Sequence, residues 1–300
     1  MNGLLGELGK RLLDSWMSRL ALPGLLYIAT VAVAVLAGQA DALDARVVPA
    51  GLDRWAAALG AAPVISQIGA AAGVALASLA AGLAVRAAAP LVEACWTGHW
   101  PRWAHRLEAR RIAAREAEWE RAHREFVALR DIGEDGRTPQ EERELARWAE
   151  TRNGIALARP SRPTHMGDRV AAVETRVHHE YGIDLVSAWP RLWLVLTDAE
   201  RGEVVAARGL FDAKVVQGAW ACGYLLLALV WWPAAAVGLV VGASAWWDGR
   251  TAITEYADLV ESVVDLRRRE LAVAAGVLGE GAVWEDGTGR ALGRLFRKGA

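Results

Sequence analysis

Cysteine and lysine are scarce in this chain of 300 residues. The first shortage argues against a disulfide-stabilised fold, and the second indicates the base composition of the source genome. The two cysteines, Cys95 and Cys222, are too few for a disulfide framework, and we interpret both as ordinary thiols. Arginine replaces lysine almost everywhere and alanine and glycine are abundant, which is typical of a GC-rich bacterial genome. The formal net charge of -1 gives no bulk attraction to nucleic acid, so nucleic acid is not an expected partner.

Signatures of catalysis and metal binding are also lacking. The sequence has no Gly-x-Ser-x-Gly elbow and no His-Glu-x-x-His run. Gly276, Gly279 and Gly281 lack the Lys-Ser/Thr ending of a phosphate-binding loop and are interpreted as a helix stop and a flexible tail. The cysteines and histidines do not have the spacing of a metal site. We therefore expect no enzyme activity, no catalytic residues, no metal and no cofactor.

Charge is absent from three long stretches, and this absence is the most informative feature. Val215–Trp247 has 33 uncharged residues, Leu20–Ala40 has 21 and Trp55–Val85 has 31. About 20 apolar residues of helix cross the hydrocarbon layer of a bilayer. Trp231-Trp232-Pro233 divides the longest run into a hairpin, and Pro63 marks a helix start in the third. We predict an all-α integral membrane protein with four transmembrane helices, at 20–40, 63–85, 215–232 and 233–247.

The first predicted span has an alternative as a cleaved signal peptide. Basic residues precede it, and Gly38-Gln39-Ala40 resembles a signal-peptidase site. The apolar stretch exceeds the usual length of about 7 to 15 residues, so a retained helix is favoured. The topology after residue 40 is the same in both cases.

The distribution of arginine and lysine predicts the orientation of the spans. Basic residues are dense before the first span and after Arg86, and cytoplasmic flanks carry such an excess. The predicted cytoplasmic parts are an amphipathic segment at 1–19, a helical insertion at 86–214, and a helix with a flexible tail at 248–300. The loop and interfacial segment at 41–62 then face the other side. Both termini are predicted in the cytoplasm of an inner-membrane, multi-pass protein, with interfacial anchors at Trp231, Trp232, Trp246 and Trp247.

Proline, glycine and capping patterns divide the insertion into helices. We predict a helix with a narrow apolar stripe from Pro101 to about Leu129, interpreted as a strut or packing partner with coiled coil as the minority alternative. Thr138 and Glu141 form a capping box for a second helix, which ends near Arg152. Further helices are predicted over 166–181, ending at Gly182, and over 185–196, either as a core helix or as an interfacial element. Thr197 and Glu200 predict a last helix that continues into the third span.

An amphipathic helix is predicted from Thr251 to about Val277. Apolar residues, including Ile253, Val260 and Val264, share one face. Beside them lies a narrow acidic strip composed of Glu255, Asp258, Glu261 and Asp265. The strip has two interpretations, a solvated face that pairs with arginines between Arg102 and Arg130, or a ring of carboxylates that concentrates cations at a symmetry axis.

Small and uncharged polar residues in the spans suggest how helices meet. Gly69, Gly73, Ala77 and Ala81 recur every four residues, and we call them the small-residue face, a candidate for close helix packing. The candidate pore-lining residues are Ser66, Gln67, Ser78 and Gln217, with interhelical hydrogen bonds, which Ser244 could also make, as the favoured alternative. No Asp, Glu, Lys, Arg or His lies inside a predicted span, which argues against proton-coupled transport.

The order of elements resembles that of oligomeric anion channels of the bestrophin type. The likeness is one of topology, since none of that family's sequence signatures is present, and it transfers no residues. We predict a homo-oligomeric membrane protein that forms a passive ion-conducting pore, regulated through its cytoplasmic layer. The alternative is a membrane-anchored scaffold or sensor whose insertion binds a cytosolic protein. The expected partners are the lipid bilayer, further copies of the chain and, for the scaffold, that cytosolic protein.

Overall fold

The structure is a computed structural model that describes residues 22–44, 46–285 and 287–297. Within these ranges all regular secondary structure is helical, which confirms the all-α prediction. The predicted segment 1–19 and the first two residues of the span at 20–40 lie outside the described residues.

Ten α-helices follow one another in the described ranges. They are α1 (Leu22–Ala37), α2 (Val47–Ala61), α3 (Val64–Trp96), α4 (His105–Arg130), α5 (Pro139–Ile155), α6 (His165–Tyr181), α7 (Leu185–Val195), α8 (Asp198–Leu227), α9 (Pro233–Ala274) and α10 (Thr288–Phe296). Short 3-10 turns at Arg102–Ala104 and Glu134–Gly136 precede α4 and α5.

Local sequence signals account for several helix ends. The Thr138 side chain accepts a hydrogen bond from the Glu141 backbone N–H, and the Glu141 carboxylate accepts one from the Thr138 N–H, so the predicted capping box of α5 is confirmed. Thr197 and Glu200 make the same reciprocal pair before α8. Helix α6 ends at Gly182 with a φ of 67°, in the left-handed region that favours glycine.

One helix, α3, is long and apolar enough to cross a membrane, and α1 is apolar but shorter. The predicted span at 63–85 lies within α3, whose 33 residues extend to Trp96. The spans predicted at 215–232 and 233–247 fall on parts of α8 and α9. Both helices extend beyond those bounds into segments that contain many charged residues. The described structure thus gives weak evidence for membrane association and leaves four transmembrane helices as a prediction.

The chain divides into two compact units. Unit 1 consists of residues 22–92 and Lys214–Trp247, and unit 2 of Glu93–Ala213 and 248–297. In unit 1, the ring of Tyr27 contacts those of Trp220 and Tyr224, with centroids 5.6 and 5.3 Å away. Ala34 packs with Leu227 and Ala234.

The loops after α1 and α8 are joined by hydrogen bonds at one end of unit 1. The Gln39 side chain donates to the carbonyl oxygens of Ala228 and Leu229, at 3.1 and 2.9 Å, and accepts from the Trp232 backbone N–H at 3.1 Å. Trp231 Nε1 donates to the Ala42 carbonyl at 3.1 Å. Gln39 therefore satisfies both ends of the α8–α9 turn, where backbone groups lack helical partners.

The core of unit 2 forms where α6, α7, α8, α9 and α10 meet. Its fully buried side chains include Val177, Leu192, Val264 and Leu292. Ala188 and Leu192 of α7 are buried here, which favours the core interpretation of 185–196 over the interfacial one. The predicted apolar face of the 251–277 segment is confirmed, since its members are buried, but this segment is the second half of α9 rather than a separate helix.

Part of the tail predicted within 248–300 forms a further helix, α10, which was not predicted from the sequence. Helix α10 forms there because Leu292 is fully buried in the unit 2 core and Phe296 packs against it. Gly289 allows this approach, since a Cβ at that position would lie 1.9 Å from the Tyr181 carbonyl oxygen. Gly276, with a φ of 69°, does lie just beyond the end of α9, as predicted.

Candidate functional site

The small-residue face of α3 has no cover within the described residues. Gly69, Gly73 and Ala77 are exposed, and no atom lies within 4 Å of the position a Cβ would take at either glycine. Ser66 is exposed on the same side of the helix, because residues 66, 73 and 77 point within about 40° of one another at 100° per residue. Only Ala81, which is half-buried, packs inside unit 1.

A different face of α3 makes the contacts inside unit 1. Ser78 is 3% exposed, and its hydroxyl donates to the Val74 carbonyl at 2.8 Å. A Cβ on Gly24 of α1 would lie 2.2 Å from the Ser78 carbonyl oxygen, so only glycine permits this helix crossing. Ser78, a predicted pore-lining residue, is therefore committed to a helix contact within the chain.

The other candidate pore-lining residues also have local roles. The Gln217 side chain donates to the Ser244 hydroxyl at 2.8 Å and joins α8 to α9. Gln67 donates to the Ala62 carbonyl at 3.1 Å, just before α3 begins. These contacts favour an interhelical role for Gln217 and a local capping role for Gln67. Ser66 is the exposed polar side chain of the predicted set.

The predicted tryptophan anchors lie in both exposed and half-buried positions. Trp232 and Trp247 are 49% and 65% exposed, whereas Trp231 and Trp246 are half-buried. Trp231 contributes to the hydrogen-bonded loop end through its indole N–H. An exposed ring in the turn before α9 (Trp232) and one on α9 (Trp247) are compatible with the predicted interfacial positions.

The acidic strip on α9 is largely paired inside unit 2. Asp258 pairs with Arg169, Glu261 with Arg176 at 2.9 Å, and the Asp265 carboxylate accepts from the Tyr181 hydroxyl at 2.9 Å. The pairing interpretation is thus supported, but its arginines come from α6 and not from residues 102–130. Burial raises the pKa of Glu261 and the Arg176 guanidinium lowers it, with the balance upward.

Glu255 differs from the other three members of the strip. Its side chain is exposed, and no ion pair to it exists among the described residues. A cleft of about 410 Å³ lies beside Glu261 and Asp265 and is also lined by Arg176, His179 and Tyr181. Asp265 is exposed as well, and the hydroxyl it accepts from is neutral, so any effect of the strip on ions near this surface depends mainly on Glu255 and Asp265.

The most enclosed charge in the described chain is the Asp168 carboxylate, which is 3% exposed. Its Oδ2 accepts from Arg115 Nε and Nη2 at 3.0 and 2.8 Å, and its Oδ1 accepts from the backbone N–H groups of Ser161 and Arg162 at 2.7 and 2.8 Å. Arg115 Nη2 also donates to the Ile155 carbonyl at 2.8 Å. One carboxylate thus holds α4, the end of α5 and the linker at 156–164 against α6.

Sequence reasoning missed this Asp168 cluster. The only local signal is an acidic residue in the first turn of α6, which a helix N-terminus favours in any protein. Its main partner, Arg115, lies 53 residues earlier, among many exposed arginines with the same local pattern. The cluster is structural in character, because its hydrogen-bonding capacity is used within the chain.

We expect a pH dependence of stability from His165, next to this cluster. Burial and, to a smaller extent, the charges of Arg250, Arg115 and Arg169 together lower the pKa of His165 to about 4. Below a pH of about 6.5, His165 binds a proton in the unfolded chain but not in the folded chain. The free energy of unfolding is therefore highest above that pH and falls as the pH drops toward about 4. The thermal midpoint of the wild-type chain should fall over this window, and His165→Gln should reduce the slope. An identical slope in both proteins would contradict the assignment.

No group of three or more His, Cys, Asp and Glu side chains suited to a metal ion occurs in the ranges that the structure describes. No protein-family model, no curated protein and no solved structure matches the chain.

Proposed function

We propose that the chain is an inner-membrane, multi-pass homo-oligomer whose helices form a passive ion-conducting pore. The observation that carries the proposal is the uncovered small-residue face of α3, the helix long enough to cross a bilayer. Without side chains beyond a methyl group, this face makes few contacts with lipid but permits another helix to approach closely. Further copies of the chain are the simplest source of that helix, since in a closed ring every subunit boundary repeats the same contact between neighbouring copies.

Two features support the predicted topology. The loops at 38–44 and 228–232 are hydrogen bonded to each other, as expected if both face the side opposite the cytoplasm. The boundaries of unit 1 at Val92, Lys214 and Trp247 fall where the charged residues Glu93, Lys214 and Asp248 begin. The apolar unit is the proposed membrane part, and unit 2 is the proposed cytoplasmic layer, on the same side as the predicted cytoplasmic segment at 1–19.

The pore proposal depends on residues that remain available after folding. Ser66 is exposed on the side of α3 that carries the small-residue face, three residues before Gly69, so close packing of several α3 helices places its hydroxyl near the shared axis at one end of that face. Glu255 and Asp265 are exposed members of the acidic strip without an arginine partner among the described residues, and Glu255 also accepts no side-chain hydrogen bond there, so it is the better placed of the two to attract cations near a cytoplasmic entrance. Such a pore conducts cations passively, because the predicted spans carry no ionisable group for proton coupling.

Neutralising Glu255 is expected to lower cation flux. In liposomes that contain the purified chain, Glu255→Gln should reduce the initial rate of potassium flux several-fold at low salt and by less at high salt, because salt screens an exposed carboxylate. Glu118→Gln is the matched control, an exposed glutamate of α4 outside the strip. Equal flux in the wild type, Glu255→Gln and Glu118→Gln would show that the acidic strip does not influence conduction. Absence of flux in the wild type would contradict the pore proposal.

A membrane-anchored scaffold is the second candidate, and one feature of unit 2 favours it. An apolar groove of about 340 Å³ lies between α6, α7 and α9 and is lined by Val170, Val186, Trp189 and Tyr256, among others. Val170 and Val186 are 43% and 71% exposed at its rim. A cytosolic protein that presents apolar side chains would fit such a groove. A monomer or dimer without flux is the result expected of a scaffold.

A further inference from the structure

A second surface of unit 2 combines exposed aromatic and cationic side chains. Trp103, in the 3-10 turn before α4, is 87% exposed, and Leu107 on the first turn of α4 is 55% exposed. Four arginines lie beside these two residues in the sequence, and none of the four makes an ion pair among the described residues. They are Arg102, Arg106, Arg110 and Arg111. The segment Pro101–Arg111 carries no acidic residue except Glu108, which lies 3.9 Å from His105.

We propose that this segment, 101–111, binds the anionic headgroups of the cytoplasmic leaflet and fixes the start of α4 at the membrane surface. An amphipathic ring with one apolar body and one polar N–H is most stable at headgroup level, which explains why Trp103 is left outside the unit 2 core. Arginine guanidinium groups bind lipid phosphates with two N–H donors, and a juxtamembrane cluster of them attracts anionic lipids. The inference depends on the proposed membrane location of the chain.

Chain length allows the segment to reach the surface. Glu93 is the first acidic residue after the apolar run of α3, and the helix ends one turn later at Trp96. Gly98, with a φ of 77°, turns the chain just beyond this end. Trp103 follows Glu93 by ten residues, and since even a fully extended chain of that length spans only about 33 Å, Trp103 lies within that distance of the end of the apolar run. A cytosolic protein is the less favoured occupant, because it would need to reach a surface this close to the bilayer.

The test measures the depth of a fluorescent label in nanodiscs. The native cysteines are first removed by Cys95→Ser and Cys222→Ser. One protein then carries the fluorescent label at Leu107→Cys, and a second carries it at Arg143→Cys, an exposed position of α5. A nitroxide on the lipid headgroup quenches a label that lies near the membrane surface. Nanodiscs contain phosphatidylcholine alone or with about 30% phosphatidylglycerol, a lipid with the required negative charge. Quenching should be strong at residue 107, weak at residue 143, and greater at residue 107 when the anionic lipid is present.

Charge variants separate lipid binding from mere proximity. Arg102→Gln/Arg106→Gln/Arg110→Gln should remove the dependence on phosphatidylglycerol, because each arginine changes surface partition roughly fivefold. Arg124→Gln/Arg143→Gln/Arg147→Gln has the same net charge and should leave the dependence intact. Quenching at residue 107 that equals that at residue 143, or ignores the anionic lipid, overturns the inference. Resistance of the wild type to carbonate extraction from membranes tests the membrane location separately.

Discussion

Asp168→Ala is expected to destabilise the folded chain by about 3–5 kcal/mol. The carboxylate is buried and receives four hydrogen bonds, two of them from Arg115. Its removal leaves a partly buried guanidinium and two backbone N–H groups without their acceptor, and the cost of desolvating them is no longer offset. Thermal unfolding followed by circular dichroism of the full chain in detergent measures the effect.

Two variants calibrate the Asp168 result. Asp168→Asn keeps the shape and loses the charge, so its destabilisation should lie between wild type and alanine. Asp131→Ala removes an exposed carboxylate that pairs with Arg130 at 3.3 Å and should cost about 0.5 kcal/mol or less. If Asp168→Ala were no more harmful than Asp131→Ala, the cluster would not hold α4 and α6 together in solution.

Gly73→Leu is expected to dissociate the proposed oligomer while the chain remains folded. No atom lies within 4 Å of the Cβ position at Gly73, so leucine fits the monomer, but its side chain fills the space that a neighbouring helix would occupy. The equilibrium should shift toward monomer by at least about tenfold, which corresponds to about 1.4 kcal/mol. Mass photometry across a range of protein concentrations gives this shift.

Glycine positions elsewhere provide controls for Gly73→Leu. Gly60 on α2 is also exposed with no neighbour within 4 Å, so Gly60→Leu makes the same chemical change away from α3 and should leave assembly unchanged. Gly24→Ala should instead impair the fold of unit 1, because its Cβ would overlap the Ser78 carbonyl. An oligomer that tolerates Gly73→Leu would show that the small-residue face is not the interface.

Local signals in the sequence predicted the local structure. The capping pairs of Thr138 and Thr197, the stop at Gly182 and the apolar face of the segment after Thr251 depend on neighbours within a few residues. Each is determined by backbone groups or by helical periodicity, which a sequence displays directly. The same reasoning separated α4 from α5 and α6 from α7.

The tertiary pairs could not be predicted in the same way. The acidic strip was expected to meet arginines of residues 102–130, whereas Asp258 and Glu261 pair with Arg169 and Arg176 of α6. Any exposed arginine suits a carboxylate, so the choice depends on which helices pack together. Ser78 and Ser66 show the same limit, since both are serines of one apolar helix but only Ser78 is buried. Helix α10 was missed because its apolar residues are few and acquire meaning only against the unit 2 core.

The most direct test of the account is the oligomeric state of the wild-type chain in nanodiscs by mass photometry, followed by ion flux from liposomes that contain the same sample. We expect a ring of four or more chains and a cation flux through it. In Gly73→Leu this flux should fall in proportion to the loss of oligomer. A monomer or dimer with no flux would contradict the account and would direct attention to the apolar groove of unit 2 and a cytosolic partner.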